Sequence, residues 1–283
     1  MSSTAAVAKS IRIGIQSGWI EARQAFGNVQ DVIGMLFLPV VLLGVTVFLK
    51  DSSVGGTQLS LATNTLPGII GLMLAFSGIQ GLAFTILMER EDGTLLRAKT
   101  APHGMLAYLA AKIVQTATAS TVTLIVILVP GSFLFDGFQL GRPFSWVWLL
   151  VVVTLGLLAT MPLGAMIGAL LSNPRNIGVL MFPLIAIMGI SGVFFPLSSA
   201  PGWLQPIAQV FPIYWIALGM RAALLPDDMV TVEIAQSWRH LETVGVLGAW
   251  AVVSLLVAPV VLRRMAQRES GSAMASRRVQ AMQ

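Results

Sequence analysis

Long runs of apolar residues, separated by short polar connections, dominate the chain. A helix needs about 20 apolar residues to cross the hydrocarbon core of a bilayer. Six runs come near that length. Prolines inside these runs, such as Pro162, Pro183 and Pro259, indicate kinks, because neighbouring helices in a membrane re-satisfy the freed carbonyl groups. The pattern therefore predicts an all-α integral membrane protein with six transmembrane helices, over residues 32–49, 66–88, 107–134, 146–171, 177–195 and 244–262.

The segment before the first run has an amphipathic pattern. Apolar residues recur at helical spacing between Lys9 and Gln30, and arginines lie on other faces of the same helix. Such a helix is typical of the membrane interface. The alternative is a soluble helix that packs on a partner protein, but the apolar run that begins immediately afterwards favours the interfacial helix. Its characteristic residues are Arg12, Ile15, Trp19, Arg23 and Phe26.

The segment 196–242 contains two apolar pieces of about 10 residues, which are too short to span a bilayer. Prolines punctuate both pieces. Trp203, Tyr214 and Trp215 are residue types that favour the headgroup level of a membrane. We therefore predict a short re-entrant helical hairpin on the outer side between spans five and six, followed by an exposed polar stretch.

A charged connection lies between the second and third runs. Residues 88–104 carry six charged side chains, while the flanking runs carry almost none. A charged segment cannot stay in hydrocarbon, so it emerges on one face of the membrane. Two interpretations are open, a solvated loop that only holds the topology and a grip for a soluble partner.

The distribution of positive charge predicts the orientation. Thirteen of the 17 Lys and Arg residues lie in segments that an even number of spans puts on the same side as both termini. By the positive-inside rule, this side is the cytoplasm. The predicted organisation is a cytoplasmic N-terminus with the interfacial helix over 1–31, a six-span domain over 32–262 with its external segment at 196–242, and a basic cytoplasmic tail over 263–283.

Composition excludes several function classes. Only 10% of the residues are charged and 56% are hydrophobic, so the net charge of +5 belongs to a membrane protein and not to a nucleic-acid-binding face. There is no cysteine and no phosphate-binding GxxxxGK[ST] loop. We find no cluster with metal-ligand spacing and no nucleophile elbow, so we predict no catalytic, cofactor-binding or metal-binding residue. The span centres almost lack ionisable residues, which argues against a self-powered transporter.

Two motifs carry a resemblance to a known family. The charged connection contains Glu89-Arg90-Glu91-Asp92-Gly93-Thr94-Leu95, and the fifth run ends in Ser191-Gly192-Val193-Phe194-Phe195-Pro196. Together with the six runs and the N-terminal helix, these motifs resemble the membrane subunit of type-2 ABC exporters, the family of daunorubicin-resistance permeases and of polysaccharide and lipid exporters.

The resemblance implies a transport role without enzymatic activity. In that family, a cytoplasmic ABC ATPase binds ATP and magnesium, and a second permease chain, identical or not, completes the path in the bacterial cell membrane. A drug or lipid-like substrate is expected here because the spans offer few polar groups. A polysaccharide or glycolipid exporter, or an assembly component without an ATPase, stays open. The implied ATPase-coupling residues are Glu89, Arg90, Glu91, Asp92, Gly93, Thr94 and Leu95; the implied outer gate is Phe194, Phe195, Pro196, Trp203, Pro212 and Tyr214.

The predicted orientation is testable by cysteine labelling, because the chain has no native cysteine. In Asp228→Cys, a membrane-impermeant maleimide should label intact cells, since Asp228 belongs to the predicted external segment. A cysteine in place of Ser272, in the predicted cytoplasmic tail, should be labelled only after permeabilisation. The reverse pattern would show that the orientation is wrong.

Overall fold

The computed structural model describes residues 3–48, 61–91, 104–135, 137–171 and 177–268. All regular secondary structure within these residues is helical, as the sequence predicts. A π-helical turn over Ser77–Gly81 joins the helix Leu61–Phe76 to the helix Leu82–Glu91, and short 3-10 turns connect the later helices. The helices are α1 Ser3–Gly27, α2 Val29–Phe48, α3 Leu61–Phe76, α4 Leu82–Glu91, α5 Gly104–Leu134, α6 Pro143–Leu170, α7 Ile177–Ile190, α8 Leu204–Val210, α9 Pro212–Leu224 and α10 His240–Arg268.

Five helical segments in the described residues are long and apolar enough to cross a membrane. Each overlaps one of the predicted runs, so these five long apolar helices are confirmed. The fifth predicted run, 177–195, differs, because α7 has 14 residues and ends at Ile190. The chain turns after it at Gly192, where φ is +67°, a conformation that favours glycine. A membrane crossing by this run stays a prediction.

The two short apolar pieces of segment 196–242 are α8 and α9, which meet at an angle of 90°. Every residue of α9 except Ala222 is buried. A helix that is apolar on all sides packs inside the protein, and α9 does so between α3, α6 and α10. Tyr214 and Trp215 are therefore 0% and 3% exposed and pack in the core, whereas Trp203 is 68% exposed; the placement of these residues at the headgroup level stays a prediction. The re-entrant position of the pair in a membrane stays a prediction.

Glycines of α6 allow a close approach to the π-turn. A Cβ on Gly168 would lie 2.6 Å from the carbonyl oxygen of Ala83, and a Cβ on Gly164 would overlap the carbonyl oxygen of Ile79. Small residues spaced four apart let membrane helices approach closely, and here the helices that do so belong to one chain.

A second stripe of small residues holds the N-terminal helix. Ser10, Gly14, Gly18 and Ala22 recur every fourth residue of α1, and the stripe faces α5. A Cβ on Gly14 or Gly18 would overlap the backbone of α5 at Ala107 or Ala111. A neighbouring face of the helix, with Ile15 and Trp19, is about half exposed. The amphipathic helix is thus present, while its location at a membrane interface stays a prediction.

Replacing both stripe glycines by alanine should separate α1 from α5. We expect Gly14→Ala with Gly18→Ala to lower the free energy of unfolding by about 2 kcal/mol or more, because overpacking at backbone contacts costs on the order of 1–3 kcal/mol. Denaturant titration of the purified chain in detergent, followed by tryptophan fluorescence, measures this. Gly44→Ala is the control, since no atom lies within 4 Å of its added Cβ. Equal stability of the double variant and the control would contradict the close packing.

Candidate functional site

The charged end of the helix bundle is where α4 ends and α5 begins, on either side of the charged connection. Glu89 and Arg90 lie in the last turn of α4. Glu91 is the last residue of that helix, and nothing is described of its side chain. Asp92, Gly93, Thr94 and Leu95 lie outside the described residues. The structure therefore locates two of the predicted coupling side chains.

Lys112 is the centre of an ion cluster at the charged end. It lies two turns into α5 and is only 4% exposed. Its ammonium group donates to Glu21 Oε2 of α1 at 2.5 Å and to Gln115 Oε1 at 3.4 Å, and it forms a salt bridge with Glu89 Oε1 of α4. An ammonium group has three N–H donors. Each of them has an acceptor here, on three different sides.

The ion cluster satisfies a charge that would otherwise be costly to bury. An isolated ammonium group in an apolar environment costs many kcal/mol unless it is paired and hydrogen-bonded. The aromatic face of Tyr108 adds a cation–π contact, with Nζ 5.7 Å from the ring centroid. Two carboxylates against one ammonium leave a net charge of −1 in the cluster. Removing the lysine would leave two unpaired, mutually repelling carboxylates.

Arg90 fastens the same end to α6. Its Nη1 donates to the backbone carbonyl of Leu171 at 2.7 Å, and Arg90 is 9% exposed. The last carbonyl groups of a helix have no partner within the helix and carry partial negative charge, so a guanidinium group stabilises them. Through Glu89 and Arg90, neighbouring residues on α4, the charged end joins α1, α4, α5 and α6.

The opposite end carries a second buried ion pair. Arg221 of α9 donates from Nε to Glu233 Oε1 at 2.5 Å and from Nη2 to Glu233 Oε2 at 3.4 Å; both side chains are at most 2% exposed. Arg221 Nη1 also donates to the carbonyl oxygen of Gly192 at 3.0 Å. This fork geometry is the strong form of an Arg–carboxylate pair. It fixes the turn after α7 to the buried helix α9.

A cation–π contact links the end of the segment between α9 and α10 to α9. The guanidinium carbon of Arg239 lies 4.6 Å from the ring centroid of Trp215, and Arg239 Nη1 donates to Gln209 Oε1 at 2.6 Å. Arg239 has a φ of +48°, which non-glycine residues rarely adopt. The positive-φ residues Ala235 and Gln236 precede it. Backbone strain of this kind persists only where surrounding contacts hold it. The contacts of Arg239 with Trp215 and Gln209 hold this segment.

The predicted outer-gate residues divide into two groups. Phe194, Phe195 and Trp203 are exposed, Pro196 is half-buried, and Pro212 and Tyr214 are buried in the core. Phe194 and Phe195 follow directly after the turn that Arg221 fixes. The structure thus does not bring all six side chains to one surface.

Three residues of these ion clusters were not singled out from the sequence. Glu21 is the only acidic residue before Asp31 in the sequence, and its isolation is a feature that could have marked it as a candidate for an ion pair. Lys112 stands inside an apolar run, and an ionisable residue in a membrane helix is by default a functional-site hypothesis. Glu233 stands in a polar stretch with other acidic residues, and no pattern in the sequence distinguishes it.

Sequence comparison with known proteins gives matches over most of the chain. Residues 45–259 match the family described as ABC-2 family transporter protein. The chain is 30% identical over 208 residues to the probable doxorubicin resistance ABC transporter permease protein DrrC of Mycobacterium tuberculosis, a match that covers 72% of this chain and 73% of that protein. It is 27% identical over 198 residues to the linearmycin resistance permease protein LnrN of Bacillus subtilis, covering 69% of this chain and 47% of that protein.

These matches confirm the resemblance to type-2 ABC exporter permeases. The matched region includes three of the five helices of spanning length, most of a fourth, and both motifs. The relatives are named as permease proteins, which are transport components. The chain is therefore a multi-pass membrane protein that belongs to the ABC-2 family of transporter proteins.

Proposed function

We propose that this chain is the permease subunit of an ATP-driven exporter in a bacterial cytoplasmic membrane. It forms the translocation path for a hydrophobic or amphipathic substrate, a drug or lipid-like molecule. A separate cytoplasmic ATPase subunit binds ATP and magnesium, and a second permease chain completes the path. The family membership and the two relatives named for drug resistance support this proposal.

The observation that carries the proposal is the ion cluster around Lys112. The charged connection joins α4 to α5, and Lys112 links both of these helices to α1. A force applied to the connection by a soluble partner therefore moves three helices as one body. Rigid-body displacement of helices is a common way to transmit a conformational change.

Within this mechanism, the predicted coupling residues have different roles. Glu89 and Arg90 act inside the chain, because both have partners on neighbouring helices. They anchor the connection and do not need to touch the ATPase. Contact with the ATPase then falls to Glu91, Asp92, Gly93, Thr94 and Leu95.

The Arg221–Glu233 pair gives the outer end a matching role. It holds the turn with Phe194 and Phe195 against α9, which is itself buried against α3 and α6. Movement of α3, which continues through the π-turn into α4, therefore reaches the exposed phenylalanines through packed helices. We propose that these side chains form part of an outer gate.

Removing the charge of Lys112 should destabilise the charged end of the helix bundle. We expect Lys112→Met to lower the free energy of unfolding by about 3 kcal/mol, since breaking a buried ion pair strands the remaining charges; partial exposure of Glu21 makes this an upper figure. Adding Glu21→Gln and Glu89→Gln should recover most of the loss. The control is Arg142→Met, which removes an exposed pair with Asp227 and should change stability by less than about 1 kcal/mol.

The same variants test function in vesicles that contain the complete complex. The triple variant, with stability restored but the three-helix link lost, should keep ATP hydrolysis while losing most ATP-driven export of a fluorescent drug. Export at the parental rate in the triple variant would contradict the anchoring role.

The partner itself is tested by co-purification. We expect the tagged chain to retain an ATPase subunit, and Glu91→Lys with Asp92→Lys to weaken this association at least tenfold while membrane insertion stays normal, because added positive charge reinforces a cytoplasmic connection. Charge-assisted contacts contribute on the order of 1.5–3 kcal/mol each, so the loss of even one contact is enough to weaken the association tenfold. If no ATPase accompanies the chain, the assembly-component alternative replaces the proposal; stimulation of hydrolysis by glycolipid alone would favour the polysaccharide or glycolipid exporter.

A further inference from the structure

A groove lies between α2, the π-turn and α5. Two adjoining cavities form it, with volumes of about 260 Å³ and 290 Å³. They share the residues Met35, Ser77, Gly81 and Ala119. Sites for drug-sized molecules typically have volumes of roughly 300–1,000 Å³. The groove therefore has room for one such molecule.

Most of the groove wall is apolar and adaptable. Phenylalanines come from α1, α3 and α4, and methionines from α2 and α3. Methionine side chains are flexible and polarizable, so they fit apolar bodies of different shapes. The apolar side chains that line it include Phe26, Met35, Leu38, Met73, Phe76 and Phe84.

One of the two cavities is lined by an exposed carboxylate. Asp31 is the charged residue among the groove-lining residues, and its Oδ2 accepts a hydrogen bond from Asn28 Nδ2 at 3.0 Å. Within the described part of the chain, no Lys or Arg side chain forms a salt bridge with it. An acidic residue in the first turn of a helix also stabilises that helix. That role alone does not require the carboxylate to line a cavity.

The π-turn contributes a second acceptor. Gln80 lines the groove, and its Oε1 is buried without a hydrogen-bond partner among the described residues. Ser77 lies one turn away and shares a 2.5 Å hydrogen bond with Ser120 of α5. The opposite face of the π-turn is packed against Thr160 and Gly164 of α6, so its position is fixed. π-helical turns of this kind are frequent at functional sites.

We propose that this groove binds an amphipathic organic cation, with its N–H groups near Asp31 and Gln80 and its apolar body along the methionines and phenylalanines. The proposal rests on the proposed function, since it gives the substrate class of the exporter. An anion would meet the carboxylate unfavourably. A neutral apolar molecule would fill the same volume without using either acceptor. Charge complementarity therefore favours the cation over both.

The test uses the purified chain alone, in nanodiscs of neutral phosphatidylcholine, with empty nanodiscs as background. Binding of rhodamine 6G, a cationic dye with N–H groups, and of Nile red, a neutral dye, is measured by fluorescence anisotropy. We expect Asp31→Asn to raise the Kd of rhodamine 6G about tenfold and to change that of Nile red less than twofold. Asp31→Glu should keep rhodamine 6G within about threefold of the parent.

Two controls separate the groove from general effects. Asp228→Asn removes an exposed carboxylate at the opposite end and should leave both dyes unchanged. Met35→Trp should fill the groove and weaken both dyes at least fivefold, whereas Phe37→Trp, two residues along α2 at a 66% exposed position outside the groove, should weaken neither.

Three results would overturn the proposal. The first is absence of rhodamine 6G binding above the empty-disc background. The second is a Kd for rhodamine 6G within twofold of the parent in Asp31→Asn. The third is an equal loss of both dyes in that variant, which would assign Asp31 only to the stability of α2. No nucleotide or ATPase enters these measurements, so their failure leaves the export function standing, and failure of ATP-driven export leaves the binding result standing.

Discussion

A charged lysine that is 4% exposed is costly to bury unless it is paired with carboxylates, and this requirement organises the charged end of the molecule. Lys112 obtains its acceptors from α1, α4 and its own helix α5. Displacing α4 or α5 alone would separate Lys112 from Glu89, and displacing α1 would break the contact between Lys112 and Glu21. The three helices therefore behave as one body at the point where the charged connection leaves and re-enters them. The N-terminal helix, which is amphipathic and half exposed, belongs to that body for the same reason.

Close backbone contacts make the ion cluster possible. Gly14 and Gly18 let α1 approach α5 until their backbones touch, which brings Glu21 within reach of Lys112. Gly164 and Gly168 do the same for α6 and the π-turn, so that Arg90 reaches the end of α6. Association of membrane helices relies on such packing, because lipid offers no hydrophobic driving force between them. Small residues thus position the charges, and the charges then define which helices move together.

The fold was largely predictable, and the site only in part. Helix length follows from bilayer thickness, so the apolar runs predicted six spanning helices, and five of them are present as long apolar helices in the described residues. The end of α7 depends on the turn at Gly192, which the apolar run does not reveal. Tyr214 and Trp215 have the composition of interface residues, yet α9 is surrounded by α3, α6 and α10, and only packing decides between the two environments. Glu89 and Arg90 were predicted as functional residues. Their partners, Lys112 and Leu171, come from distant parts of the chain, and one sequence does not contain the distances between helices.

The groove and the ion cluster share a residue, which connects binding to movement. Gln115 lines the groove near Asp31 and accepts a hydrogen bond from Lys112 at 3.4 Å. Ala22 of the stripe on α1 also lines the groove, one residue from Glu21. A molecule that enters the groove therefore contacts the same helices that the charged connection displaces. Under the proposed function, a shift of α1 and α4 relative to α2 changes the width of the groove directly. The groove and the helices displaced by the charged connection then belong to one helical unit, so no separate pathway is needed to couple binding to movement.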